Sequence, residues 1–455
     1  MKIIIAGAGQ TGVALAKYLR AENNDIVLID KDREQLGHLS EQLDIQTIEG
    51  SASFPLVLER AGASHADVFL AVTGSDEMNI VSCGVAKAVF NIPKRIARIS
   101  SVEYLSNKYR AFLESLSIDV AVSPEVETAR HILENLPIAG SVDVASMGDG
   151  VAKFVGLRCK RTAQLNGKTI DEVNALLPGI GFKIVAVKRR SVLVPHERVI
   201  FRPGDDVYFL ADSRHLVQIL DTFGYESVSP RYIVIFGGGK VAFQLAKMLE
   251  KDATPHDVTL VEEDPDKARL IAEKLNETLV VTGDALDDTF VDELDLKNYR
   301  LSVAVTESDE NNILLSLVAK RNGIPRTCAL IDNPLYNTVL SGLGVDTTIN
   351  PNAIMVSSIL QYLRKGRVRG DYVLQSGIGE MLEVEVLSTS RITKAPLGKV
   401  KIPAGIEIGA VIREGLFLLP SPDLKIREKD LVLIFVTHDK IREAEKLFSV
   451  GFSFF

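Results

Sequence analysis

A chain of 455 residues is too long for a single core, and the length predicts about three domains. With 46% hydrophobic and 25% charged residues the composition is globular, and a net charge of −8 argues against nucleic acid as the main partner, since neutralising phosphates needs a basic face. No apolar run approaches the ~20 residues of a spanning helix, Met1–Gly7 lacks the apolar segment of a signal peptide, and Cys83, Cys159 and Cys328 have no paired spacing, which excludes a disulfide framework or thiolate metal site and fits a reducing cytoplasm.

In chain order, Lys2–Ala6 reads as a strand, Val13–Arg20 as a helix, and Asp25–Ile29 as a second strand closed by Asp30. Val68–Val72 is the next strand. It runs into the turn Thr73-Gly74-Ser75, a helix from Asp76 to Phe90 and, after Pro93, the strand Arg95–Ile99. Continuously apolar strands alternating with helices predict a parallel sheet with helices on both faces. Near Ile138 the rhythm changes. Ala152–Leu157, Lys183–Val187 and Val207–Leu210 read as short strands, the last fed by the turn Arg202–Asp206, and His215–Thr222 has helical spacing. After the linker Ser227-Val228-Ser229-Pro230 the pattern restarts.

The restart is a repeat. Ile3-Ile4-Ile5-Ala6-Gly7-Ala8-Gly9-Gln10-Thr11-Gly12 matches Ile233-Val234-Ile235-Phe236-Gly237-Gly238-Gly239-Lys240-Val241-Ala242. Gly50-Ser51-Ala52 matches Gly283-Asp284-Ala285, Ala71–Ile80 matches Ala304–Ile313, and Ser123-Pro124-Glu125 matches Asn350-Pro351-Asn352. In the small domains, Arg427-Glu428-Lys429-Asp430-Leu431 takes the place of Pro203-Gly204-Asp205-Asp206-Val207. The predicted fold is α/β. Two Rossmann-like, doubly wound parallel-sheet domains, 1–136 and 231–352, are each followed by a small α+β domain, 137–226 and 370–455.

The chemistry read from the motifs is nucleotide binding. Gly7 permits a tight strand-to-helix turn, Gly9 lets backbone approach a pyrophosphate, and Gly12 lets the helix pack on the sheet. Gly237, Gly239 and Ala242 hold these roles in the second copy. The helix N-terminus supplies free N–H groups for phosphates. Asp30 and Glu262 stand where a carboxylate accepts from ribose hydroxyls and repels a 2′-phosphate, so NAD(H) or an adenine nucleotide is expected. Thr73, Asp76, Glu77 and Asn79, echoed by Thr306, Asp309, Glu310 and Asn312, sit at a strand's carboxyl end, with Asp76 and Asp309 as ligand contacts, helix N-caps or both. Gln10 occupies the position that Lys240 fills in the second copy, and Arg98 corresponds to Leu330, so the two sites can differ in preferred nucleotide. The histidines His38, His65, His131, His196, His215, His256 and His438 form no shared catalytic or metal motif, and there is no phosphate-loop signature of an ATPase. The basic stretches Arg364-Lys365-Gly366-Arg367-Val368-Arg369 and Lys188-Arg189-Arg190 read as solvated charge, with anionic lipid or an acidic partner as the alternative for the first.

The duplicated glycine turns, the closing acids and above all Ala-Val-Thr-x-Ser-Asp-Glu-x-Asn in both halves, followed by Ile92-Pro93-Lys94 or Ile324-Pro325-Arg326, resemble the tandem RCK (also called KTN) family of potassium-uptake regulators over essentially the whole chain. The resemblance implies a cytoplasmic regulator that is not an enzyme and has no catalytic or metal site. It implies docking on the inner face of a potassium-translocating membrane protein of the TrkH or TrkG type, and assembly of two chains into a ring of four RCK units. Binding of NAD(H) and ATP or ADP would bias that ring between two arrangements. The residues implied to hold nucleotide are Gly7, Ala8, Gly9, Gln10, Thr11, Gly12, Asp30, Thr73, Asp76 and Arg98 in the first half, and Gly237, Gly238, Gly239, Lys240, Val241, Ala242, Glu262, Thr306 and Asp309 in the second. The helices after Pro124 and Pro351 are implied to contribute to the pairing of units. The alternative is an NAD-dependent oxidoreductase with a duplicated Rossmann unit, which requires a proton-handling residue that no motif supplies.

Overall fold

The computed structural model describes residues 1–106, 108–138, 140–190, 192–195, 198–225, 230–336, 345–363, 368–374 and 377–448. His196, Ser227–Ser229 of the linker and Arg364–Arg367 of the basic stretch lie outside them.

The first large domain is built on β1 (Lys2–Ala6), β2 (Asp25–Asp30), β3 (Gln46–Glu49), β4 (Val68–Ala71), β5 (Lys94–Arg98) and β6 (Val120–Val122), all parallel in the order β3-β2-β1-β4-β5-β6. β1 and β4 are apolar at nearly every position because both their faces are covered: Ile3, Ile4, Ile5, Val68, Phe69 and Leu70 are fully buried. The strand order reverses between β1 and β4, and such a reversal opens a crevice at the carboxyl ends of the strands. The second large domain repeats this with β12 (Tyr232–Phe236), β13 (Asp257–Glu262), β14 (Leu279–Thr282), β15 (Leu301–Ala304), β16 (Arg326–Leu330) and β17 (Thr347–Ile349), ordered β14-β13-β12-β15-β16-β17.

The small domains repeat each other as well. β7 (Ser141–Met147), β8 (Ala152–Arg158), β9 (Phe182–Arg189), β10 (Val192–Leu193) and β11 (Asp206–Asp212) form a sheet ordered β10-β9-β11-β8-β7. β18 (Val368–Val373), β19 (Glu380–Glu385), β20 (Ile406–Arg413), β21 (Leu416–Leu418) and β22 (Leu431–Val436) follow as β18-β19-β22-β20-β21, the same topology. The two sheets pack face to face through Phe154, Tyr208 and Leu210 on one side and Met381, Leu433 and Phe435 on the other. The approach is close: a Cβ on Gly409 would lie 2.2 Å from Leu210 Cδ1.

One correspondence read from the sequence shifts by a residue. Arg427–Leu431 corresponds to Arg202–Asp206, not to Pro203–Val207. Asp205 accepts from the Arg202 N–H and the Arg189 guanidinium, and Asp430 accepts from the Arg427 N–H and the Arg413 guanidinium in the same way. Gly204 and Lys429 are the paired left-handed residues of that turn, at φ 89° and 67°. The adjacent aspartates Asp205 and Asp206 allow two registers, and the bonds that recur in both copies, from Arg189 to buried Asp205 and from Arg413 to buried Asp430, decide between them.

The described residues within 1–127, 352–363 and 438–442 form one compact unit, and those within 128–351, 368–437 and 443–448 another. The helix Pro351–Leu363 therefore clusters, from Asn352 onward, with the first large sheet, where Lys94 Nζ donates to the Tyr362 carbonyl. No helix among the described residues is long and apolar enough to cross a membrane, and no group of three or more His, Cys, Asp or Glu among them could hold a metal. Burial pushes the thiols of Cys83 and Cys328 up to about 12 and that of Cys159 up to about 11, so none is a reactive thiolate.

His131, on the helix Pro124–Asn135, is buried and stacks on the Tyr372 ring at 6.0 Å. Burial alone pushes its pKa down to about 4. The unfolded chain takes up that proton near pH 6.5, so the contribution is whole above about pH 6.5 and is lost as pH falls toward 4. Between pH 7.5 and 5 the expected loss is about 2 kcal/mol. Urea unfolding at the two pH values checks this: His131→Leu should flatten the difference, and an unchanged slope in that variant would assign it elsewhere.

Candidate functional site

Backbone conformation or close contact calls for glycine at Gly7, Gly12 and Gly237. Gly7 has φ +111°, and a Cβ there would sit 3.0 Å from the Val72 and Thr73 backbone at the end of β4. A Cβ on Gly12 would lie 1.9 Å from the Gly7 carbonyl oxygen, so glycine is required for the helix Gln10–Ala21 to close on the turn. Gly9 faces open space. It N-caps that helix with no side-chain acceptor, which leaves N–H groups at the helix start free for an anion. In the second copy Gly237 has φ +97° against Thr306, and Gly239 caps the helix Lys240–Leu249 in the same bare way. Ala242 is fully buried at the third position.

The closing acids hold the turns in place. Asp30 accepts from the N–H of Ala8 at 2.6 Å and of Asp32 at 3.0 Å. Glu262 accepts from Gly238 N at 2.7 Å, Asp264 N at 3.1 Å and Lys267 Nζ at 2.8 Å. Burial opposes ionisation of Glu262, but the Lys267 ammonium and the two N–H groups outweigh it and hold its carboxyl below the usual range. Gln35 stands where Lys267 does and donates to the Ala8 carbonyl at 2.7 Å.

The Thr-x-Ser-Asp-Glu-x-Asn segment is a clamp. Asn79, fully buried, accepts from the Thr73 N–H and hydroxyl at 2.9 and 2.7 Å and donates to the carbonyls of Thr73 and Arg98 at 3.1 and 2.9 Å. Asn312 repeats all four bonds with Thr306 and Leu330. The helix caps are Ser75 and Ser308, whose hydroxyls accept from Met78 N and Asn311 N, so the expectation that Asp76 and Asp309 cap these helices is corrected. Each is the first helical residue, and its two carboxylate oxygens receive the N–H groups of the loop beyond the next strand: Ser100 and Ser101 for Asp76, Asp332 and Asn333 for Asp309.

In the second large domain Gly237, Gly238, Gly239, Glu262 and Thr306 line one cavity of about 510 Å³. Lys240, Val241, Ala242 and Asp309 lie outside its lining. Lys267, Asp284 and Asn311 do line it. Of these, Asp284 had a signal in the sequence through the Gly283-Asp284-Ala285 turn and Asn311 through the repeated Ala304–Ile313 motif, while Lys267 had none. Lys267 reaches the cavity only because its helix folds back over β13. In the first large domain Gly7, Ala8, Gly9, Gln10, Thr11, Gly12, Asp30 and Thr73 converge on the end of β1. Asn352 joins them, accepting from the Thr11 hydroxyl at 2.9 Å and donating to Gln10 Oε1 at 2.7 Å. Arg98 ends β5, and its Nε is buried without a partner among the described residues.

Comparisons with known proteins agree with this geometry. The TrkA-N domain family matches residues 3–124 and 233–351, and the TrkA-C domain family residues 381–449. The chain is 36% identical to the Trk system potassium uptake protein TrkA of Azorhizobium caulinodans, over 100% of both chains. It is 35% identical to that of Haemophilus influenzae, over 98% of each. Among solved structures, the GsuK channel shares the fold at a TM-score of 0.62 and 18% identity, covering 98% of this chain and 78% of that one. The GsuK channel bound to NAD does so at a TM-score of 0.61 and 19% identity, with the same coverage. The relatives are named as components of a potassium uptake system, not as enzymes. With two TrkA-N domains, a TrkA-C domain and full-length relatives above 30% identity, the chain belongs to the TrkA family of Trk system potassium uptake proteins.

Proposed function

We propose that the chain is the nucleotide-sensing regulatory subunit of a Trk potassium uptake system. It binds NAD(H) and ATP or ADP at its two glycine turns and gates a TrkH- or TrkG-like potassium-translocating subunit from the cytoplasmic face of the membrane. The observation that carries the reading is the cavity at the ends of β12, β13 and β15. There a bare helix N-terminus, a committed carboxylate and a threonine turn surround a space of nucleotide size. The NAD-bound and ADP-bound forms of GsuK, which shares the fold, support both ligand classes. Gating follows if a nucleotide binds one arrangement of the assembled chains more tightly than the other.

Calorimetric titration with NADH, NAD, ATP and ADP tests this. Up to two sites per chain are expected, with Asp30→Ala removing one and Glu262→Ala the other. Absence of binding by all four nucleotides would overturn the proposal. Steady consumption of NADH with a carbonyl substrate would replace it with an oxidoreductase.

A further inference from the structure

The two small-domain sheets correspond residue by residue. β9 and β20 carry a bulge at the same place, skipping Val185 and Gly409, and two positions before it stand Lys183 and Glu407. Lys183 pairs with Leu210 of β11, and Glu407 with Phe435 of β22. They are the same position in the two copies, and they are each other's partner: Lys183 Nζ is ion-paired with the Glu407 carboxylate and donates to the Ile408 carbonyl at 3.0 Å. In a two-fold arrangement a residue meets its own counterpart only beside the axis. This pair therefore marks the pseudo-two-fold axis between the small domains.

We propose that the Lys183–Glu407 pair selects the partner of each small domain, namely the unlike small domain of its own chain and not the like domain of a second copy. Like pairing would set Lys183 against Lys183 or Glu407 against Glu407. Each side chain is only about a third exposed, so solvent cannot fully screen that repulsion. The surrounding positions are apolar in both copies, Leu210 and Phe435, Ala186 and Ala410, Tyr208 and Leu433, and like the bulge residues Val185 and Gly409 they differ in size, not charge, so the charge selection rests on this one pair. The small-domain pairing is thus closed within one chain. This inference is independent of nucleotide binding.

Charge reversal tests it in the full-length chain. Lys183→Glu creates at this contact the Glu–Glu pair of one like pairing, and Glu407→Lys creates the Lys–Lys pair of the other, so each single variant measures the penalty itself. Backbone hydrogen exchange of β9 and β20, read by mass spectrometry, should accelerate about tenfold or more in either single variant. It should return to the wild-type rate when both reversals are combined. If a single variant does not fold, recovery of wild-type exchange in the doubly reversed chain supports the proposal equally. Single variants that exchange like wild type, or a double variant no better than the worse single, would overturn it.

Discussion

Asn79→Leu is expected to destabilise the first large domain by about 3–5 kcal/mol, and Asn312→Leu the second by a similar amount. Leucine preserves volume and burial but removes four hydrogen bonds. It strands the part-buried Thr73 N–H and Arg98 carbonyl against a fully buried side chain, where each unsatisfied group costs about 1–3 kcal/mol. The unfolding midpoint of that domain should fall by roughly 10 °C or more. Asn79→Asp sharpens the test. The aspartate still accepts from Thr73 but cannot donate to the two carbonyls, and it adds a buried charge, so it should be at least as damaging as leucine. Differential scanning calorimetry of the two variants decides. A loss below about 1 kcal/mol in both would mean that the clamp is dispensable and that its recurrence in the two halves has another cause.

Local, strong signals were legible in the sequence. β1 and β12 were readable because both faces of each are buried, so the apolar run is unbroken, and the glycine turns because φ and close approach leave few alternatives. β3 escaped notice because it is a four-residue edge strand with one buried side chain. The role of Asp76 was hidden for a different reason. Its partners are backbone N–H groups of Ser100 and Ser101, which carry no sequence signature, so a helix-start acid looks the same whether it caps or clamps. Lys267 and Asn352 were invisible as site neighbours because tertiary packing alone brings them to Glu262 and to Gln10. The Lys183–Glu407 contact was unreadable until the strand register showed that two unlike charges occupy one position of the repeat.

Gly12→Ala is expected to weaken nucleotide binding at the first site about 100-fold while leaving the second intact. The added methyl would sit 1.9 Å from the Gly7 carbonyl oxygen, a backbone atom that cannot rotate away. The helix Gln10–Ala21 must then retreat from the sheet, carrying off the N–H groups that Gly9 leaves uncapped. Overpacking of this kind costs about 1–3 kcal/mol of stability. If the displaced N–H groups lose their phosphate contacts, affinity falls about 100-fold, or roughly 2.8 kcal/mol. The second copy supplies the control, because Ala242 already occupies this position there and is fully buried. Ala242→Gly should cost only the ~0.5–1 kcal/mol of a helical glycine and leave binding unchanged. Titration of both variants with NADH and ADP separates the sites without touching any carboxylate. Wild-type stoichiometry and affinity in the Gly12→Ala chain would mean that the first turn is structural and that sensing rests on the second. A single lost site would mean that both copies work, with the differences at Gln10 and Lys240 and at Arg98 and Leu330 left to set which nucleotide each prefers.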